Sequence, residues 1–124
     1  MTIAAAQYAR FRREAVAKGR VYTFTHEGDY LVFRIGEHDV VPFWSSESRL
    51  RRVQAQHPKY AAYSIESMSL REFLDWLPEI REEGIHIGVN WSGSRLIGYD
   101  VSTEDLAAAL EAERKNASLP TPLP

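Results

Sequence analysis

At 124 residues, with a net charge of −2 and no cysteine, the chain has the length of one domain and cannot build a disulfide or thiolate site. Apolar residues make up 44% and charged residues 26%, the balance of a folded globular protein rather than a disordered one. That charge argues against strong non-specific nucleic-acid binding, and no apolar run nears the ~20 residues of a membrane span.

The charge is unevenly spread. Residues 1–62 carry ten Lys/Arg against six Asp/Glu, whereas residues 63–124 carry five against eleven. Such polarity suits a charged partner or head-to-tail self-association, but it also arises when both halves interleave and mix their charges on one surface. The opening residues lack the pattern of an export signal, so the expected location is the cytoplasm.

In chain order, Ala4, Tyr8, Phe11 and Ala15 recur at helical spacing and predict a first helix, with Gly19 as its stop. Val21 to Thr25 reads as a strand, Glu27-Gly28-Asp29 as a turn and Tyr30 to Ile35 as a second strand. Gly36-Glu37-His38-Asp39 turns again into a short third strand, Val40 to Phe43. The second strand is apolar on both faces, with Leu31, Phe33 and Ile35 on one and Tyr30 and Val32 on the other. It therefore calls for cover on both sides, from helices or from another copy of the protein.

Ser45 and Ser46 are placed to cap a second helix reaching about Gln56, and His57-Pro58 ends it. Tyr60 to Ile65 reads as a fourth strand. The third helix carries the best local signal: Ser69 and Glu72 form a capping box, and Met68 and Phe73 a hydrophobic staple. Leu70, Phe73, Leu74 and Leu77 make its apolar stripe. Pro78 predicts a kink or restart, and Gly84 a close. Ile85, Ile87, Val89 and Trp91 alternate with His86, Gly88 and Asn90 as a half-buried strand. Ser92-Gly93-Ser94 turns the chain, and Leu96 to Val101 returns. Ser102 caps a last helix, with Val101 and Leu106 as its staple.

The expected architecture is α+β in the order α-β-β-β-α-β-α-β-β-α. It has about four helices on an antiparallel or mixed sheet of about five to six strands. Residues 1–117 are expected to form one domain, and 118–124 a mobile proline-rich tail.

Several short runs on this layout match a known pattern: Val41-Pro42-Phe43-Trp44, Ser69-Leu70-Arg71-Glu72-Phe73-Leu74 with Trp76-Leu77-Pro78, Glu83-Gly84-Ile85-His86-Ile87-Gly88-Val89, and Val101-Ser102-Thr103-Glu104-Asp105-Leu106. In this order and spacing they resemble the bacterial family catalogued as domain of unknown function 2750, over residues 21 to about 112. Asn90-Trp91-Ser92-Gly93 departs from the proline-containing hairpin tip of that family, and Ser45 stands where a proline would follow Trp44. The resemblance implies a fold family and a bacterial source, and no activity.

Candidate chemistry is sparse. His26, His38, His57 and His86 show no ligand spacing, so no metal or cofactor is expected. His26 and His38 flank turns and can converge across a hairpin; the alternative is that both are solvated turn residues. His86 shares a strand face with Gly88 and Asn90, where glycine would let a ligand approach the backbone. The plainer reading is the solvent face of an edge strand. Together with Tyr99, His86 and Asn90 define a candidate cleft for a ligand or a small enzyme's substrate. Ser45, Ser46 and Ser48 make no nucleophile elbow, and Glu79, Glu82 and Glu83 read as a solvated face.

Arg49, Arg51 and Arg52 form a basic cluster. Arg49 and Arg52 share a helix side, with Tyr60 and Tyr63 as possible stacking surfaces; salt-bridged solvation is the bland alternative. Trp44, Trp76 and Trp91 are the candidate anchors of an interface, Trp76 because it lies off its helix stripe and Trp91 because it lies at a hairpin tip. Core packing explains them equally well. The reading leans away from catalysis, toward a binding module that forms a homodimer or holds a protein partner through Trp44, Trp76, Trp91, Arg49 and Arg52. A ligand cleft comes second, and nucleic-acid binding through the arginine face third.

Overall fold

A computed structural model describes residues 2–118. Most of the expected tail, residues 119–124, lies outside them. Thr2 opens helix α1 (Ile3–Lys18) by accepting the Ala5 N–H at 3.0 Å. Gly19 closes it in the left-handed conformation at φ 69°, which glycine adopts without a Cβ clash.

Strand β1 (Arg20–His26) reverses through Glu27-Gly28 into β2 (Asp29–Tyr30), with Thr25 opposite Tyr30. Both turn residues have positive φ, as a two-residue hairpin turn demands. The expected strand from Tyr30 to Ile35 is not continuous. After β2 the chain leaves β1, and β3 (Phe33–Ile35) pairs instead with β4 (His38–Phe43). The reason lies in its two apolar faces. Leu31 turns inward and is buried, whereas Tyr30 and Val32 point outward and stay 37% and 48% exposed.

Helix α2 (Glu47–Gln56) follows, and then Pro58–Tyr60 forms a 3-10 turn that buries Tyr60. The fourth strand therefore starts later than expected, as β5 (Ser64–Ser69), antiparallel to β1. Helix α3 (Leu70–Arg81) carries both bonds of the Ser69–Glu72 capping box and runs unbroken through Pro78. Gly84, at φ 73°, lies in the turn into β6 (His86–Val89). Strand β7 (Asp100–Ser102) returns antiparallel to β6, and α4 (Thr103–Ser118) begins where Ser102 Oγ accepts the Asp105 N–H at 3.1 Å. The helix includes Ser118, one residue beyond the expected domain limit.

The strands form two sheets, ordered β2-β1-β5 and β3-β4-β6-β7. Paired backbone bonds of 2.8 Å between Tyr22 and Trp44 join β1 to the end of β4. Strands β4 and β6 are parallel, which makes the larger sheet mixed. Pro42 is tolerated inside it because β3 pairs with β4 only as far as Val40. Two apolar clusters divide on this framework. Phe11, Val41, Phe43, Phe73, Leu77 and Ile87 pack with α1, α3 and α4, while Phe24, Val40, Trp44, Leu50, Val53 and Trp91 pack with α2. Among the described residues, no helix is long and apolar enough to cross a membrane.

Candidate functional site

Two of the three tryptophans belong to the core. Trp44 and Trp91 are 1% and 2% exposed, which leaves no indole face for a partner. Trp44 Nε1 donates to the Trp91 carbonyl at 2.8 Å, and Trp91 Nε1 donates to the Tyr99 carbonyl at 2.8 Å. The Trp91 indole folds back over two glycines. A Cβ at Gly88 would stand 2.5 Å from it, and one at Gly98 would stand 2.6 Å from it. Gly88 thus makes room for the protein's own tryptophan rather than for a ligand, and Trp91 is no exposed hairpin tip. Strand β6 is also interior, so the expected solvent face of an edge strand does not exist there.

Asn90 is buried as well, in a network that links three elements. Its Oδ1 accepts the Ser45 backbone N–H at 2.9 Å, and its Nδ2 donates to Ser45 Oγ at 3.0 Å. Ser45 Oγ donates to Glu14 of α1 at 2.6 Å, and Arg49 of α2 grips both Glu14 oxygens at 3.2 Å. Ser45 therefore packs inside this network, and Ser46 occupies the N-cap of α2 without a side-chain cap bond. The hollow beside the network, lined by Trp44, Arg49, Arg52 and Asn90, holds about 20 Å³, the scale of one water molecule. The serine hydroxyl is committed to bonding and closed to substrate.

Burial raises the Glu14 pKa, but hydrogen bonds from Arg49 and Ser45, with the Arg49 charge, outweigh it and hold it below the ordinary 4.5. A lowered folded-state pKa contributes stability that is present above the unfolded value and lost as pH falls through the folded one. Thermal unfolding should therefore show an acid-side loss of stability, and Glu14→Gln should flatten part of it. An unchanged acid profile in Glu14→Gln would count against this linkage.

The remaining candidates are dispersed. His86 Nδ1 lies 3.0 Å from Asp100 Oδ2, and its ring stacks on His38 with centroids 3.9 Å apart. His26 lies instead against Tyr63. Tyr99 is 40% exposed and lines a separate hollow with Ile3, Gln7 and Ile97. His86, Asn90 and Tyr99 thus have three different surroundings. Of the basic cluster, Arg49 is committed to Glu14 and Arg51 to Glu47, which leaves Arg52. Among the described residues, no three His, Asp or Glu side chains are placed to hold a metal.

Trp76 differs from the other tryptophans. One side of its indole packs on Phe43 and Phe73, and Tyr30 stands at 5.2 Å, tilted by 40°. Trp76 and Tyr30, together with Val32 and Ile85, line an open hollow of about 480 Å³ between α3 and β2. Three carboxylates, Asp29, Glu79 and Glu83, also line it, with no Lys or Arg among the lining side chains. None of the three makes an ion pair among the described residues. Burial and the negative charge of Glu66 both raise the Tyr30 pKa.

A family model described as a protein of unknown function, DUF2750, matches residues 8–110. The chain belongs to this family. No curated protein matches it. The match takes in every element of the DUF2750 hollow, from Asp29 to Ile85, and the Glu14–Ser45–Arg49–Asn90 network. Sequence reasoning found Trp76 through its offset from the α3 stripe and flagged Tyr30 and Val32 as an apolar face wanting cover. It missed that these surfaces adjoin, and it read Glu79 and Glu83 only as a solvated face. For Glu14 a signal existed: it lies three residues after buried Phe11, at the border of the apolar stripe of α1.

Proposed function

We propose that this protein is a single-domain, non-catalytic binding module that holds a partner protein in the hollow around Trp76. The bacterial, cytoplasmic setting expected from the sequence is part of this proposal. One observation carries it: Trp76, Tyr30 and Val32 form a continuous, partly exposed apolar surface that no element among the described residues covers. Partly exposed aromatics in a concave surface are the usual anchors of protein interfaces. Ser45 is sealed in the core, and His86 is occupied by Asp100 and His38.

A photo-crosslinking amino acid at Val32, introduced in cells of the source organism, tests this. A discrete adduct that disappears in the Trp76→Ala background is the expected result. Adducts that are absent or indifferent to Trp76 would refute the reading. Light scattering across concentration distinguishes a homodimer from a second kind of chain.

A second reading has its own observation. The hollow beside Tyr99 measures about 570 Å³, and Gln7 Oε1 is buried there without a hydrogen-bond donor. An apolar small molecule carrying one donor would complete that site.

A further inference from the structure

We infer that the occupant of the Trp76 hollow is a peptide segment carrying both apolar and basic residues, with an arginine or lysine held over Tyr30 and Trp76 among Asp29, Glu79 and Glu83. This rests on the reading of the hollow as a partner site and adds the chemistry of the partner.

The argument starts from what the lining contains. Two aromatic rings 5.2 Å apart, tilted by 40°, present adjacent π surfaces, and a cation near an aromatic face is attracted by the ring quadrupole. Three carboxylates line the same hollow, with no Lys or Arg among the lining side chains and no ion pair of their own among the described residues. Of the other acids of α3, Glu72 belongs to the capping box and Asp75 makes no ion pair among the described residues, while at the helix end Arg81 takes Glu104 of α4. Glu79 of α3 and Glu83, just past its end, both line the hollow, so their like charges add to that of Asp29 and favour a cation there. Besides burial, the negative charge of Glu66 raises the Tyr30 pKa and adds to the negative field there.

Val32 and Ile85 supply the apolar half of the recognition, which excludes a bare metal ion or a purely ionic ligand as the best fit. A nucleic acid or an acidic segment would be repelled. A segment carrying both apolar and basic side chains fits the apolar floor and its acidic edge.

The test uses a fluorescein-labelled, amidated peptide of ten residues alternating leucine and arginine, with companions carrying glutamine or glutamate in place of arginine. Fluorescence anisotropy should show the arginine peptide binding at least tenfold more tightly than the glutamine peptide, and the glutamate peptide not at all. The double variant Glu79→Gln/Glu83→Gln, which alters exposed side chains only, should reduce arginine-peptide binding at least fivefold. Glu37→Gln, away from the hollow, should leave it unchanged. Trp76→Ala should abolish it, with circular dichroism verifying the fold.

Equal affinity for the arginine and glutamine peptides, lost together in Trp76→Ala, would overturn this inference while the partner-site reading stands. Binding by none of the peptides would also overturn it, and the Val32 crosslink then decides the broader reading separately. A concentration-dependent dimer dissolved by the double variant would make a second copy the occupant and overturn the inference as stated.

Discussion

Replacing Trp44 by alanine should lower the unfolding free energy by about 3–5 kcal/mol, the usual range for removing a buried aromatic of this size. Two losses combine at this position. The ring leaves a cavity beside Phe24, whose centroid is 5.3 Å away, and the Trp91 carbonyl loses the only indole donor that reaches it. Trp44→Phe keeps one six-membered ring in place while losing the N–H and the rest of the indole; it should cost less than Trp44→Ala. Equilibrium urea unfolding followed by circular dichroism measures both. A loss below about 1 kcal/mol in Trp44→Ala would contradict the burial of this side chain, since cavities in packed cores relax only partly. The contrast with Trp76 is the useful one. Its replacement should remove peptide binding, whereas replacing Trp44 should act on stability.

The second large effect is expected at Asn90. This residue sits at φ 52°, in the left-handed region that asparagine visits more readily than most side chains. Asn90→Ala strands the buried Ser45 N–H, at about 1–3 kcal/mol, and adds about 1–2 kcal/mol for holding an ordinary residue left-handed. Asn90→Gly loses the same bonds without the backbone penalty. Alanine should therefore be the worse substitution, by about 1 kcal/mol or more in urea unfolding. Equal losses would show that the backbone relaxes once the amide is gone. Because Ser45 also serves Glu14, both variants should loosen the Arg49–Glu14 pair and weaken its acid-side contribution.

These two positions show where reading from sequence stops. Trp44 and Asn90 were both singled out, one as a possible interface anchor and the other as a possible ligand contact, and both turned out to hold the core. Their residue types were informative and their surroundings were not. A tryptophan followed by serines looks the same in sequence whether its ring meets solvent or meets Phe24. Arg49 was flagged for its charge, but its partner Glu14 lies 35 residues away on another helix.

What the sequence by itself determined are the features whose causes lie within a few residues. The Ser69–Glu72 capping box, the Ser102 cap, the Gly19 stop and the Glu27-Gly28 reversal all depend on groups no more than four positions apart. Hence the α+β order of elements was legible along the chain. Only the tertiary structure decided that β4 and β6 lie parallel and that the segment from Tyr30 to Ile35 breaks to serve two sheets. It alone placed Trp91 over Gly88 and left Trp76 partly exposed in a hollow that three carboxylates also line. The physical reason is common to all of these. Burial and pairing are set by residues far apart in sequence, and an apolar side chain carries no local mark of which neighbour will cover it.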